Sequence, residues 1–217
     1  MAEDLSKPEK VKIAKPAFKP LSPGELPASE VQFRRVSVPA HRYAPLKKAW
    51  LSDPPDKFDI YHLVYEEMKI DICMRLKKRE ILLKTRPDTP DISHLQKCYE
   101  FLDAFMLGFD TRDAATLCMC DGVYLLCFST DDVKNLKGEH LARAIGRICG
   151  KAGKTKNVIE NATNTKIVIA EKNIRILGQQ ANIGVAKYAI CSLILGSPAS
   201  KVYSKLRAVT ARLAERC

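Results

Sequence analysis

No stretch of this 217-residue chain approaches the roughly 18 consecutive apolar residues that a membrane-spanning helix needs, and the first residues lack the apolar core of a secretory signal. The expectation is a soluble, intracellular protein with no membrane partner. Paired metal-ligand motifs are scarce too. Cys118-Met119-Cys120 is the one close cysteine pair, and its C-x-C spacing is not the C-x-x-C of common zinc modules. Cys73, Cys98, Cys127, Cys149 and Cys191 each sit singly among apolar residues and read as small core residues. His41, His62, His94 and His140 are scattered, so no metal and no other cofactor is expected. Acid runs short at one end: residues 134–217 hold 16 Lys and Arg against 4 Asp and Glu, whereas residues 1–133 hold 20 against 21. The net charge of +11 therefore arises in the last third of the chain, which points to a module facing a polyanion, nucleic acid first.

What is present has the order of a repeat. Residues 1–30 carry five prolines and five lysines, too little apolar content for a core, and read as a flexible tail. From Val31 the alternation through Phe33, Val36 and Val38 predicts a strand ended by Pro39. Helices are predicted over about 45–51 and 58–68, broken by Ser52-Asp53-Pro54-Pro55, and strands over 70–74 and 81–83. Ile92, Leu95, Tyr99, Leu102, Met106 and Phe109 recur at helical spacing and predict a helix over 91–109. A connecting helix over about 111–119 follows, within a linker at 111–120. The first order then returns: a strand at 123–128, a helix at 139–148 carrying Leu141, Ile145 and Ile148 inward, a loop at 150–153, and a helix at 154–162. Strands at 166–170 and 174–177 come next, then a helix at 180–195 with Ile183, Ala186, Ile190, Leu193 and Ile194 on one face. Two tandem α+β modules, 31–110 and 121–197, are the organising expectation, each a three-stranded antiparallel sheet with helices on one face. A basic amphipathic helix fills 198–217, with Val202, Leu206, Val209 and Leu213 as its apolar stripe and Lys201, Lys205, Arg212 and Arg216 beside it.

The chemistry concentrates at Gly150-Lys151-Ala152-Gly153. Glycine at both ends lets the backbone turn sharply and leaves no Cβ in the way of a phosphodiester. The second glycine opens a helix whose first N–H groups lack internal partners and favour an anion. Lys151, Lys154 and Lys156 add charge, with Arg143 and Arg147 on the preceding helix. Ile145, Ile148, Ile167 and Ile169, beside Lys166, are expected to offer an apolar groove for bases. Backbone on one side and bases on the other is how a KH module clamps about four single-stranded nucleotides. Lys201, Lys205 and Arg212 are candidate phosphate contacts from the last helix.

The run Gly146 to Thr155, with Ile159, Thr163, Lys166 and Ile167, resembles the KH (type I) signature, departing at Lys156. His140-Leu141-Ala142-Arg143-Ala144-Ile145-Gly146-Arg147, Ile194-Leu195-Gly196-Ser197-Pro198 and Lys201-Val202-Tyr203 carry it further, as do His41-Arg42 and Pro45-Leu46-Lys47. In these the chain resembles the KH-domain assembly factors of the small ribosomal subunit called partner of the Nob endonuclease, or Dim-two, from about Phe33 to Arg216. The resemblance implies binding of pre-rRNA near the 3′ end of the small-subunit rRNA. It also implies association with the Nob-type endonuclease, an rRNA dimethyltransferase and pre-small-subunit ribosomal proteins, and shuttling from nucleolus and nucleus to cytoplasm. In the first module Ser52-Asp53-Pro54-Pro55 stands where the G-x-x-G belongs. Asp53 repels phosphate and the prolines remove donors, so that module is expected to dock protein, or to reach RNA through His41, Arg42, Lys47 and Lys48.

Two other readings compete. Gly153-Lys154-Thr155 closes a Walker-like G-K-T, but Ile148 stands where a phosphate-binding loop needs its first glycine, and the predicted context is a helix instead of a strand. A purely structural scaffold, or a general KH protein without the ribosomal role, also fits the glycines. The local lysines and arginines favour RNA. Neither Glu66-Glu67 nor Asp131-Asp132 lies beside a nucleophile, so no enzymatic activity and no catalytic residue is expected.

Overall fold

The computed structural model describes residues 32–50, 59–75, 77–89, 91 and 93–214. The expected tail over 1–30 and the Ser52 to Pro55 break lie outside them, as do the side chains of Arg212 and Leu213 and the whole of Arg216. Among the described residues the chain runs β1 (Phe33–Ser37), α1 (Tyr43–Trp50), β2 (Ile70–Arg75), β3 (Glu80–Thr85), α2 (Ser93–Leu107) and α3 (Thr111–Met119). It continues through β4 (Val123–Ser129), α4 (Gly138–Cys149), α5 (Lys154–Thr163), β5 (Lys166–Ala170), β6 (Asn173–Gln179), α6 (Gln180–Ile194) and α7 (Ala199–Ala214). No helix is long and apolar enough to cross a membrane, and no cluster of His, Cys, Asp or Glu could hold a metal ion, among these residues.

Two three-stranded antiparallel sheets form, ordered β1-β3-β2 and β4-β6-β5, so each half follows the same path and the α+β expectation holds. The predicted second helix of the first half differs in kind. After a turn at Ile60 it winds as a π-helix over His62–Glu67, burying Leu63 and Val64. A wider turn of this sort needs tertiary packing to hold it, and the stacked rings of Tyr61 and Tyr65, 5.0 Å apart, line it.

In the second half, Ile167, Ile174, Ile176, Ile183, Ile190 and Leu193 close a core between the sheet and α4 to α6. Here α4 corrects the predicted inward face. Ala144 and Ile148 are its buried residues, while Leu141 and Ile145 are half-exposed at the margin, because the small Ala144 brings the helix close to its neighbours.

The expectation of helices on one face only is also corrected. Part of the outer face of the second sheet is covered, because Val123, Leu125, Val168 and Leu177 pack against the core of the first half. That core is built around α2 and α3, including Phe101, Phe105 and Leu117. Burying one such side chain fully stabilises by about 1.5–3 kcal/mol. Polar ties flank the seam: Arg175 Nη1 donates to Leu107 O at 2.6 Å, and Lys166 Nζ lies 3.3 Å from Asp113 Oδ1. Gly108, at φ +118°, lets β5 approach, since a Cβ there would lie 3.1 Å from Val168 Cγ1. On the outer face of the first sheet Phe33 is exposed, while Leu82 and Lys84 on the central strand are buried.

Of the five cysteines expected in the core only Cys98 is fully buried. Cys73, Cys149 and Cys191 are half-buried and Cys127 is exposed on β4. Cys118 is buried beside Cys98 and Cys120 is exposed, so the C-x-C pair diverges at the end of α3.

Candidate nucleic-acid interface

α4 ends where Gly150 turns the chain at φ 73° and ψ 178°, and α5 begins four residues later, directly after the left-handed Gly153 at φ 76°. Ala152 between them is also left-handed, at φ 54°. A left-handed alanine costs roughly 1–2 kcal/mol, so its methyl group is a larger burden than an ordinary Gly-to-Ala change. The Gly150 amide donates to Gly146 O at 2.8 Å and the Gly153 amide to Gly150 O at 3.3 Å, which fixes the turn from inside.

Gly150 answers to packing as well as conformation. A Cβ there would collide with Thr155 Oγ1 and lie 2.8 Å from Thr155 Cβ. Thr155 is buried, and its hydroxyl accepts a hydrogen bond from Tyr203 Oη at 3.0 Å. The loop is thus braced from behind by α7. At Gly153 the space is open, so only the backbone conformation requires glycine.

Lys151, Ala152 and Lys154 are exposed around this turn, and the first turn of α5 carries no acidic residue. The N-terminus of α5 and the ammonium groups of Lys151 and Lys154 therefore share one surface of positive potential. Lys156 is half-buried and lies 3.7 Å from Glu160 Oε1, which also accepts the Ile167 amide at 2.7 Å.

The remaining sequence-predicted residues divide. Ile145 and Ile169 are half-buried and keep an apolar edge at the surface, whereas Ile148 and Ile167, at 0% and 1% exposure, lie inside the core and support the surface from beneath. Arg143 pairs with Glu139 at 2.8 Å along the exposed side of α4. Arg147 turns to the end of α6, where Nε donates to Leu193 O at 3.1 Å and Nη2 to Ile194 O at 3.4 Å. A cation on the last carbonyls of a helix is favourably placed. Arg42 does the same in the first half, donating to Phe105 O at 2.6 Å and Phe109 O at 3.3 Å with its guanidinium over the Phe105 ring. Lys166 belongs to the opposite face of the second sheet, beside Asp113. Lys201 and Lys205 line the α6 side of α7, away from Tyr203 and Arg207, which line its α5 side together with Lys154 and Val158.

The acidic pairs have structural roles. Asp132 accepts the Ser129 amide at 2.8 Å in a capping box, Asp131 pairs with Lys172 at 3.1 Å, and Glu66 with His62 at 3.0 Å. The loop follows a helix, as expected, so the Walker-like context of a preceding strand is missing. Thr155 and Tyr203 are what sequence reasoning missed: a hydroxyl residue two positions beyond the second glycine was the available signal for the first, but its partner lies 48 residues away.

Known proteins match this arrangement. Residues 127–211 match the eukaryotic type KH domain (type I) defined for the second KH domain of PNO1. The chain is 48% identical over 202 residues to the RNA-binding protein PNO1 of Oryzias latipes, which spans 93% of this chain and 80% of that protein. It is 46% identical over 202 residues to the pre-rRNA-processing protein PNO1 of Coccidioides immitis, spanning 93% and 76%. Among solved structures, Dim2p from Pyrococcus horikoshii is 27% identical with a TM-score of 0.67, covering 82% of this chain and 99% of that one. A complex of a/eIF2alpha, aDim2p and rRNA from the same archaeon matches at 24% identity and TM-score 0.69, covering 84% and 96%, and speaks to the fold. On sequence identity and coverage together, the chain belongs to the PNO1 family of KH-domain RNA-binding, pre-rRNA-processing proteins, which is not a family of enzymes.

Proposed function

We propose that this chain holds immature small-subunit rRNA near its 3′ end in the Gly150 to Gly153 clamp. The observation that carries the reading is the left-handed turn with exposed Lys151 and Lys154 at an acid-free helix N-terminus. The naming of relatives as pre-rRNA-processing proteins supports it. In this reading the loop backbone, Lys151 and Lys154 take phosphates, and Ile145 and Ile169 take bases. Lys156 contributes field while bound to Glu160, and Arg147 keeps α4 seated on α6.

The same reading gives the chain a scaffold's part in maturation. It brings a processing endonuclease and a dimethyltransferase to the bound RNA and so raises their effective concentration without chemistry of its own. Pre-rRNA processing suits a nuclear or nucleolar role, followed by passage to the cytoplasm with the maturing subunit. The first half, whose Ser52 to Pro55 segment replaces the clamp, docks protein.

The test is binding of single-stranded RNA spanning the 3′ end to wild type and to a Lys151→Asp, Ala152→Asp double variant across a salt series. Aspartate tolerates the left-handed conformation at position 152, so folding should survive. Loss of affinity with a shallower salt slope is the expected result. Unchanged binding by the folded variant refutes the clamp, and equal affinity for unrelated RNA refutes the 3′-end preference.

A further inference from the structure

α6 and α7 are joined through Gly196-Ser197-Pro198 and enclose, on the flank of α7 opposite to Tyr203, an open groove of about 520 Å³. Val185, Ala189, Val202 and Leu206 make its floor. Tyr188 and Leu195 stand at its edge, 57% and 61% exposed, an unusual display for large apolar side chains next to an apolar floor. Lys201 and Lys205 form the rim. Lys205 Nζ donates to the Tyr188 hydroxyl at 2.9 Å and lies 5.2 Å from its ring centroid, which holds that ammonium over the groove.

The charge around the groove has one sign. Residues 172–214 contain no Asp or Glu, and the charged side chains that line the groove are Lys201 and Lys205. We propose that this groove docks an amphipathic helical segment of a partner protein, with apolar anchors on one face and Asp or Glu flanking them. A groove between two helices accepts a third through anchors at i, i+3 or i+4, and i+7, and the lysine rim selects acidic flanks.

Two alternatives fit less well. Away from a glycine turn that clamps its backbone, single-stranded RNA relies on aromatic stacking platforms, and the one aromatic ring lining this groove, Tyr188, already has a face taken by Lys205 over an aliphatic floor. Symmetric pairing of two copies through this face would set like charges against each other.

The experiment selects a displayed library of random 16-residue peptides on the full chain, then titrates an enriched peptide by fluorescence anisotropy. Enrichment of apolar anchors at helical spacing with Asp or Glu beside them is expected. A Tyr188→Ala, Leu195→Glu variant should lose at least tenfold in peptide affinity, while its affinity for a single-stranded RNA oligonucleotide stays within twofold of wild type. Exchanging the acidic residues of the peptide for Gln or Asn should also weaken binding. Because both altered side chains are exposed, an unchanged thermal midpoint confirms that the variant is folded. The proposal is overturned if enriched peptides are not acidic, if they bind the variant as tightly as wild type, if RNA affinity falls with peptide affinity, or if sedimentation shows wild type pairing through this face.

Discussion

The Tyr203 hydroxyl donates to Thr155 Oγ1 at 3.0 Å, and Thr155 is the residue against which Gly150 packs without room for a Cβ. The last helix therefore reaches the Gly150 to Gly153 turn through one hydrogen bond and one close contact. Tyr203→Phe should lower stability by about 0.5–1.5 kcal/mol, the usual loss of one hydrogen bond. It should also weaken RNA binding a few-fold by loosening the turn. Urea melts and anisotropy titrations check both, and a variant with wild-type stability would deny the brace.

The two glycines of the loop should differ in what they tolerate. Gly150→Ala meets Thr155 as well as an unfavourable φ and should cost more than about 2 kcal/mol, whereas Gly153→Ala faces open space and should cost about 1 kcal/mol for its conformation alone. Ala152→Gly should stabilise by about 0.5 kcal/mol, the relief of left-handed strain less the added freedom of the unfolded chain. Thermal midpoints of the three variants, ranked in that order, are the measurement.

Arg143 and Arg147 sit four residues apart and should behave differently. Arg147→Met removes two hydrogen bonds to the end of α6 and should destabilise by about 1–2 kcal/mol. Arg143→Met loses only an exposed pair with Glu139 and should leave the melting midpoint nearly unchanged.

Cys98 gives the fold a dependence on alkaline pH. Its hydrogen bond with Cys118 and then burial push its thiol well above the usual range. The folded state therefore keeps its proton after the unfolded chain has released its own. This contribution is fully present below the unfolded thiol value, about 8.5, and declines above it by about 1.4 kcal/mol per pH unit. Denaturant melts at pH 7.5 and 10 should show this loss in wild type, and a smaller one in Cys98→Ala.

Local signals were the legible ones. The element order, the bounds of α3 and β5 and the turn at 150–153 follow from spacing, glycine and proline, all properties of neighbours in the chain. Long side chains were not legible, because each could choose among distant partners. Arg147 finds carbonyls 46 residues away, Lys166 finds Asp113 across the seam, and Lys201 and Lys205 face the α6 flank of their helix. Alternation could not reveal that Val168 and Leu125 are covered, since a half-buried strand with its outer face on another module reads like one facing water. The π-winding at His62–Glu67 has no signature in apolar spacing.

The seam at Val123, Leu125, Val168 and Leu177 bears on why the first half persists without a glycine clamp. Losing it would uncover a greasy sheet surface on the half that holds the loop, and such a fragment would stick to itself or to whatever lay nearby. The first half is thus the foundation that keeps this part of the second sheet out of water.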